Sequence, residues 1–441
     1  MKKNNFIALG FIATALTGSL FLTPSVFAQD ASQALKSNQE IQTSRLQSLA
    51  KFTKVLGLVE KYNVDPVTIE ALMDKALSGM LSNLDAHSTF LNAKHFESMK
   101  IQTDGEFGGL GITVGIKDGA LTVIAPIEGT PADKAGLKAS DIILKINDKS
   151  TLSMTIDDAV GIMRGKKGTP INLTIVRKSE TKPLSIDIIR DIIKIQSVYA
   201  KNIGDDILYL RVTSFDKKVV DGLEKELKKT SNKDKGIILD LRNNPGGLLD
   251  QAVGLVDLFV DEGVIVSQKG RDKNENKVYS ATSSGTYKDV PIVVLVNEGS
   301  ASASEIVSGA LQDHKRAVII GENTFGKGSV QVILPITDEE AIKLTIARYY
   351  LPSGRTIQAV GVKPDVTVHL GEVKNYENGY SIKEADLKKH LESELEKVDG
   401  KKPKAEEKKD KNVITEEDLN KDLQLKEAVG ITKALQIMKG H

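Results

Sequence analysis

The sequence predicts an α+β protein of several domains: an N-terminal helical segment, a β-rich module, an α/β core and a C-terminal helical tail. Three observations carry that expectation. The chain has 441 residues, more than one compact hydrophobic core usually organises. Its apolar residues recur first at helical spacing, then in short alternating runs, and then as continuous runs separated by helical stretches. Clusters of Gly, Pro and Asp stand where one pattern gives way to the next. The expected boundaries are a leader at 1–28, a helical region at 29–100, the β-rich module at 101–190, the α/β core at 191–370, and a charged linker with a terminal helix at 371–441.

The first element opens with Lys2 and Lys3, runs apolar from Phe6 to about Phe21, and reaches Val26-Phe27-Ala28 before the polar Gln29-Asp30. A basic head, an apolar middle and modest side chains before a polar start are the layout of a secretory signal peptide. An uncleaved anchor is the alternative, disfavoured because the run sits at the short edge of what spans a bilayer. The body is therefore expected to be exported, periplasmic or otherwise extracytoplasmic, and membrane-associated if the leader stays in place. With 60 basic and 59 acidic residues the formal charge is +1, which favours neither nucleic acid nor an anionic surface as a partner. The lack of cysteine removes disulfides, thiolate metal sites and a cysteine nucleophile, and the histidines are too scattered to suggest a metal site. Neither metal nor cofactor is expected.

From Ala31 to about Ser98 apolar positions such as Leu46, Leu49, Phe52, Val55, Leu56 and Val59 recur three and four apart, an amphipathic helix. A second helical stretch runs from about Thr68 to Leu84 and breaks at Leu84-Asp85-Ala86-His87-Ser88. The apolar stripe suits either the core or a second copy of the chain.

Between Phe107 and about Ile188 short Val/Ile-rich runs alternate with turn residues, the pattern of a β module. Phe107-Gly108-Gly109-Leu110-Gly111-Ile112 puts glycines and a bulky apolar residue directly before a strand, leaving backbone N–H groups open to an incoming carboxylate. Pro131 to Leu144 follows as a short helix ending in Gly136, a turn and a strand. Together the two segments resemble a PDZ domain. The resemblance implies that a peptide's C-terminus adds as a strand to the sheet edge, its carboxylate on Phe107 to Ile112 and its last side chain in an apolar pocket.

From Ile207 to Leu370 the pattern is α/β, with strands at Ile207–Val212, Gly236–Leu241 and Ile292–Val296 and helices between them. Continuous apolar strands alternating with helices predict a sheet buried on both faces. Lys397 to Lys411 is dense in Lys, Glu and Asp and reads as a solvated linker, whereas Leu423 to Met438 reads as an amphipathic helix docked on a neighbour.

Asn297 to Ile306 stands between an apolar strand and a helix, a turn that presents a small hydroxyl and aims free helix N–H groups at whatever it attacks. Ser302 with Glu305 also forms a capping box, so a plain helix cap is the competing reading. A serine nucleophile needs a base. His314 ends the same helix and His369 falls in a strand, neither in a recognisable motif. Lys327 is the alternative, because an ammonium buried among apolar neighbours loses its proton more readily. It lies in Thr324-Phe325-Gly326-Lys327-Gly328-Ser329-Val330-Gln331, with no acid within five residues after Glu322 to hold its charge. A lone lysine is otherwise a solvated surface charge. Gly321, Gly326 and Lys327 also come close to a P-loop, but Gly328 stands where the metal-binding hydroxyl belongs and the following run predicts a strand where a P-loop needs a helix.

Gly299 to Ile306, Ala310 to Asp313, Thr324 to Gln331, Asp240 to Leu249 and Pro352 to Gln358 together resemble the carboxyl-terminal processing peptidases, or tail-specific proteases, from about Val55 to Leu370. The resemblance implies a PDZ domain inserted before an α/β serine-protease core. It makes Ser302 the nucleophile, Lys327 its base and Gln331 the residue that orients the lysine. An uncharged amide can hold an amine without restoring its charge. The oxyanion hole would combine the N–H of Ala303 with one from the Asn244-Pro245-Gly246-Gly247 turn, Gly246 in preference to Gly247. Expected partners are proteins or peptides with apolar C-termini, with room for an adaptor or regulatory protein and a homo-oligomer of two or more chains. Ala86 stands where the family commonly has proline, and nothing after Leu370 matches a family motif. A catalytically silent PDZ scaffold is the alternative function.

Overall fold

The computed structural model describes residues 25–229, 236–271, 273–282, 287–373 and 412–439. Most of the leader and the charged linker Lys397 to Lys411 lie outside the described residues. The chain forms two compact units, one ending at Met80 and one beginning at Leu81. The first contains helix α1 (Ser25–Tyr62) and most of α2 (Ile69–Ser82). Along α1 the apolar residues Leu46, Leu49, Val55 and Leu58 are exposed rather than packed in a core. No described helix is long and apolar enough to cross a membrane.

The second unit starts with β1 (Thr89–Leu91) and α3 (Ala93–Asp104). Asn92 caps α3 by accepting from His95 N–H at 3.1 Å, and Gly105 closes it in the left-handed region at φ 65°. Residues 81–100, expected to belong with the N-terminal helices, are part of the larger unit, because β1 pairs with a core strand described below. Next come β2 (Glu106–Gly109), β3 (Ile112–Lys117), β4 (Ala120–Pro126), α4 (Pro131–Lys134), β5 (Ile142–Ile146), β6 (Lys149–Ser150), α5 (Ile156–Met163), β7 (Pro170–Val176), β8 (Leu184–Ile189) and β9 (Asp191–Lys194). The β-rich module is the sheet β3-β4-β5-β7-β8 around Val123, Ile146, Leu173 and Ile175, with β6 on β5. Strand β3 lies at the edge of that sheet, and α5 packs beside it. Strands β2 and β9 pair with each other and carry the chain into and out of the module.

The core contains β10 (Val198–Ile203), β11 (Ile207–Val212), α6 (Val219–Lys229), β12 (Gly236–Asp240), α7 (Leu249–Asp257), β13 (Val264–Gly270), β14 (Lys277–Ser280), β15 (Ile292–Val296), α8 (Ala303–Asp313), β16 (Val318–Gly321), β17 (Ser329–Pro335), β18 (Ala341–Tyr350) and β19 (Val366–Thr367). Two sheets result. One runs β10-β11-β12-β15-β16-β19, parallel from β11 onward; the other runs β1-β18-β13-β14 with β17 also on β18. Every residue of β12 and β15 is buried, as continuous apolar runs require of a sheet covered on both faces. Helices α6, α7 and α8 cover one face through Leu223, Val256 and Ile306. The other face is covered by α9 (Glu416–Asn420) and α10 (Leu423–Met438), with Leu425, Ala428 and Val429 against Ile238, Val293 and Ile320. The expected terminal helix thus forms with the expected bounds. Arg242, past the end of β12, bonds Asp240 at 2.7 Å and Asp422 at 2.8 Å, so the tail helix supplies the second carboxylate of a mostly buried cluster.

Candidate active site

Strands β12 and β15 are parallel neighbours, so the turns after them meet at the carboxyl end of the sheet, the usual place for a site in such a layout. The two turns are joined by polar side chains. Asn297 Oδ1 accepts from Asn243 N–H at 2.8 Å, while its amide donates to Asn243 Oδ1 at 2.9 Å. The three serines of the run separate cleanly here. Ser300 Oγ donates to Leu241 O at 2.8 Å and Ser304 Oγ to Asn244 O at 2.9 Å, and both residues are fully buried. Ser302 is only half-buried and sits at φ 54°, ψ −108°, a conformation that costs energy for any side chain. Strain held at a strand-to-helix turn is how a sheet presents a nucleophilic hydroxyl.

Ala303 opens α8, and its N–H has no partner among the described residues. A Cβ on Gly246 would lie 2.9 Å from Ser302 Cβ and 3.0 Å from Ala303 N, so only glycine fits against the nucleophile there. A Cβ on Gly247 would instead strike Phe215 O at 2.3 Å. The Gly246 N–H donates to Asn244 Oδ1 at 2.9 Å, which engages the second donor expected for an oxyanion.

The Thr324–Gly328 loop runs between β16 and β17 and is held from two sides. On one side the fully buried Glu305 accepts from Ser302 N–H at 2.7 Å, Lys327 N–H at 2.8 Å, Gly326 N–H at 2.6 Å and the Thr324 hydroxyl at 2.5 Å. One carboxylate therefore fixes the backbones of both candidate catalytic residues. On the other side Gln358 Oε1 accepts from Gly328 N–H at 3.0 Å, and a Cβ on Gly328 would stand 2.6 Å from Gln358 N.

The Lys327 ammonium has no ion-pair or hydrogen-bond partner among the described residues. Burial, reinforced by the positive charge of Lys343, pushes its pKa below the usual lysine range, and Glu305 opposes that shift. The sequence suggested no acid near the lysine; the fold brings one from a position far back in the chain. Gln331 follows on β17, its amide donating to Ser329 Oγ at 2.9 Å and Thr345 Oγ1 at 3.3 Å. It makes no hydrogen bond to Lys327 in this conformation.

Thr345 donates in turn to Asp85 at 3.1 Å, and Asp85 also accepts from Ser88 Oγ at 2.6 Å. The segment read from sequence as a helix break therefore supports the site. Burial works against the Asp85 charge, but bonds from Ser88, His87 N–H and Thr345 hold its carboxyl below the usual range. Burial and the nearby Lys327 ammonium likewise push the His87 imidazole down. A cavity of about 590 Å³ lies between Asp85, Ala86 and His87 and the strand residues Ser329 and Thr345.

His314 and His369, the two histidines weighed as bases, play no part here. His314 sits at the far end of α8, some 11 residues or about 16 Å along its axis, with a ring nitrogen 2.8 Å from Val264 O. His369 falls just past β19 rather than in a strand, exposed and 3.0 Å from Glu322. No cluster of potential metal ligands occurs among the described residues. Strand β17 occupies the place where a P-loop would start its helix.

The segment Phe107 to Ile112 leads from β2 into the β-rich module. Phe107, Gly108 and Gly109 are paired in β2, whereas Leu110 and Gly111 are buried in the turn leading to Ile112, the first residue of edge strand β3.

Residues 206–368 match the profile of peptidase family S41, and residues 122–177 match that of a PDZ domain. A carboxy-terminal-processing protease of Bartonella bacilliformis is 43% identical over 388 residues, covering 86% of this chain and 88% of that protein. Carboxy-terminal processing protease CtpA of Bacillus subtilis is 36% identical over 329 residues, covering 73% of this chain and 70% of its own. Among solved structures, a photosystem II D1 C-terminal processing protease is 29% identical with a TM-score of 0.43, covering 71% of this chain and 86% of that one.

Proposed function

We propose that this chain, which belongs to the carboxy-terminal-processing proteases of peptidase family S41, cuts exported proteins through an acyl-enzyme on Ser302 with Lys327 as its base. It is a serine-type endopeptidase with a PDZ domain, so the silent-scaffold alternative is set aside. The observation that carries the mechanism is the separation of the serines. Ser300 and Ser304 spend their hydroxyls on carbonyls inside the fold, and Ser302 alone of the three is strained and partly exposed.

Neutral Lys327 takes the Ser302 proton as Oγ bonds the scissile carbonyl carbon. The resulting oxyanion is held by the free Ala303 N–H, and the Gly246 N–H joins it on leaving Asn244 Oδ1. The Lys327 ammonium then protonates the departing amine as the C–N bond breaks, and the same lysine deprotonates the water that releases the acyl group. Gln331, its amide already anchored on Ser329 and Thr345, keeps its carbonyl to steady the neutral amine.

Substrates are polypeptides whose apolar C-terminal end adds to the open edge of β3, beside α5, with its carboxylate at the Phe107 to Ile112 turn. The leader reading puts this work outside the cytoplasm. A serine-directed phosphonate probe tests the chemistry. It should label the wild-type chain and not Ser302→Ala; equal labelling of both would remove Ser302 from the mechanism.

A further inference from the structure

The cavity beside β17 carries a charge pattern that the mechanism does not use. Antiparallel pairing of β13 with β18 sets Lys269 directly opposite Arg348, so two cations share one face of the sheet. Like charges directly opposite on a sheet repel. Arg271 lines the same cavity, and none of the three has a carboxylate partner among the described residues. The Lys269 ammonium rests over the Tyr350 ring at 4.7 Å. Asp85 is the one acid in the lining, and its oxygens are already taken by Ser88, the His87 and Ser88 N–H groups and Thr345.

The cavity also adjoins the segment that carries the base. Ser329 and Gln358 are in its wall; the first accepts from Gln331, and the second holds Gly328 next to Lys327. Arg348 is paired across β18 with that same Ser329. A negative group entering here would relieve the Lys269–Arg348 repulsion beside the segment that carries Lys327 and Gln331.

We propose that this cavity is a carboxylate-binding subsite, through which the protease favours polypeptides with an acidic group close to the scissile bond. The inference rests on the proposed peptidase mechanism and adds a substrate preference to it. The guanidinium groups of Arg271 and Arg348 offer paired donors that fit a carboxylate. That carboxylate is an Asp or Glu side chain near the bond, because the chain end is already assigned to the Phe107 to Ile112 turn.

Matched peptides with Glu or Gln at each position within about four residues of the bond, roughly 13 Å of extended chain, test the subsite. At low salt the wild-type kcat/KM should favour a Glu peptide by about tenfold, and added salt should erode the preference. The Lys269→Gln/Arg348→Gln double variant should cut the Gln peptide like wild type and treat the two alike. The Glu-to-Gln ratio should survive amidation of the C-terminus; a ratio that falls to one on amidation would overturn the subsite. Equal kcat/KM for all pairs at low salt, or a preference unchanged in the double variant, would overturn the subsite while leaving the peptidase mechanism intact. Fluorescence anisotropy of the same peptides on Ser302→Ala reads the discrimination without turnover. Equal affinities there would overturn it even if no peptide were cut, and a failure of wild type to cut any peptide counts against the mechanism alone.

Discussion

The two halves of the catalytic pair are built differently. Around Ser302 the fold is over-determined: Asn243, Asn297, Ser300 and Ser304 cross-bond the two turns, and the residues on either side of the nucleophile are buried. Around Lys327 the backbone is pinned by Glu305 and Gln358, but the amine itself is held by no bond. Its state is set by burial and by neighbouring charge. The nucleophile is therefore a matter of geometry and the base a matter of electrostatics. Changes on the first side should act on rate and stability, and changes on the second should act on pH dependence.

Removing either reacting atom gives the largest effect. Ser302→Ala should lower kcat/KM on a peptide by at least about 10⁴-fold, with the circular dichroism spectrum unchanged. Lys327→Arg should do the same at every pH, because a guanidinium does not give up its proton. Substantial turnover by Lys327→Arg would show that another group takes the serine proton.

Glu305 spans both halves, so its loss should appear in both readouts. In Glu305→Gln an amide nitrogen meets backbone N–H groups that had a carboxylate oxygen, leaving buried donors unpaired at about 1–3 kcal/mol each. The melting temperature should fall and kcat drop by about 10²-fold as Ser302 and Lys327 lose register. The pH profile supplies the distinguishing signature. The Glu305 charge raises the Lys327 pKa, so without it the acid limb of kcat/KM should move to lower pH. A loss of rate with an unmoved limb would make Glu305 purely structural.

That double role marks the limit of what the sequence reveals. Ser302, Lys327 and the α/β core are legible because each is a local pattern: a small-residue turn after an apolar strand, a glycine-flanked lysine, continuous buried runs. Glu305 is legible only as the partner of Ser302 in a capping box. Its bonds to Gly326 and Lys327 depend on the base loop folding back over the start of α8, which no local spacing encodes. Asp85 reads as the end of a helix for the same reason. Its partner Thr345 lies on β18, and the pairing of β1 with β18 brings the two together. The apolar stripe of α1 is clear in sequence, yet its periodicity could not say that Leu46 and Leu49 would stay exposed in the single chain.

Gln331→Glu probes the base more gently. Its carboxylate can still accept from the Ser329 hydroxyl, although the Thr345 proton is already given to Asp85, so the strand should largely keep its geometry. A negative charge beside Lys327 favours the ammonium, and the acid limb of kcat/KM should shift to higher pH. An unshifted limb would mean that Gln331 does not face the amine.

The smallest effect, and the cleanest test of an electrostatically set base, is expected from Lys343→Met. Lys343 lies on β18, and its positive charge is the largest influence after burial in lowering the Lys327 pKa. Methionine keeps the length and apolar stem of the side chain, so packing changes little. Removing the like charge makes the Lys327 ammonium less unfavourable, its pKa rises, and a smaller fraction is neutral at any given pH below it. Activity near neutrality should fall by a few fold, whereas the plateau at high pH, where both proteins carry a neutral lysine, should stay the same. Added salt should shrink the difference, since both amines are only partly buried and so partly screened. A Lys343→Met profile lowered equally at every pH would assign Lys343 to packing or substrate contact. A profile superimposable on wild type would mean that burial alone sets the base.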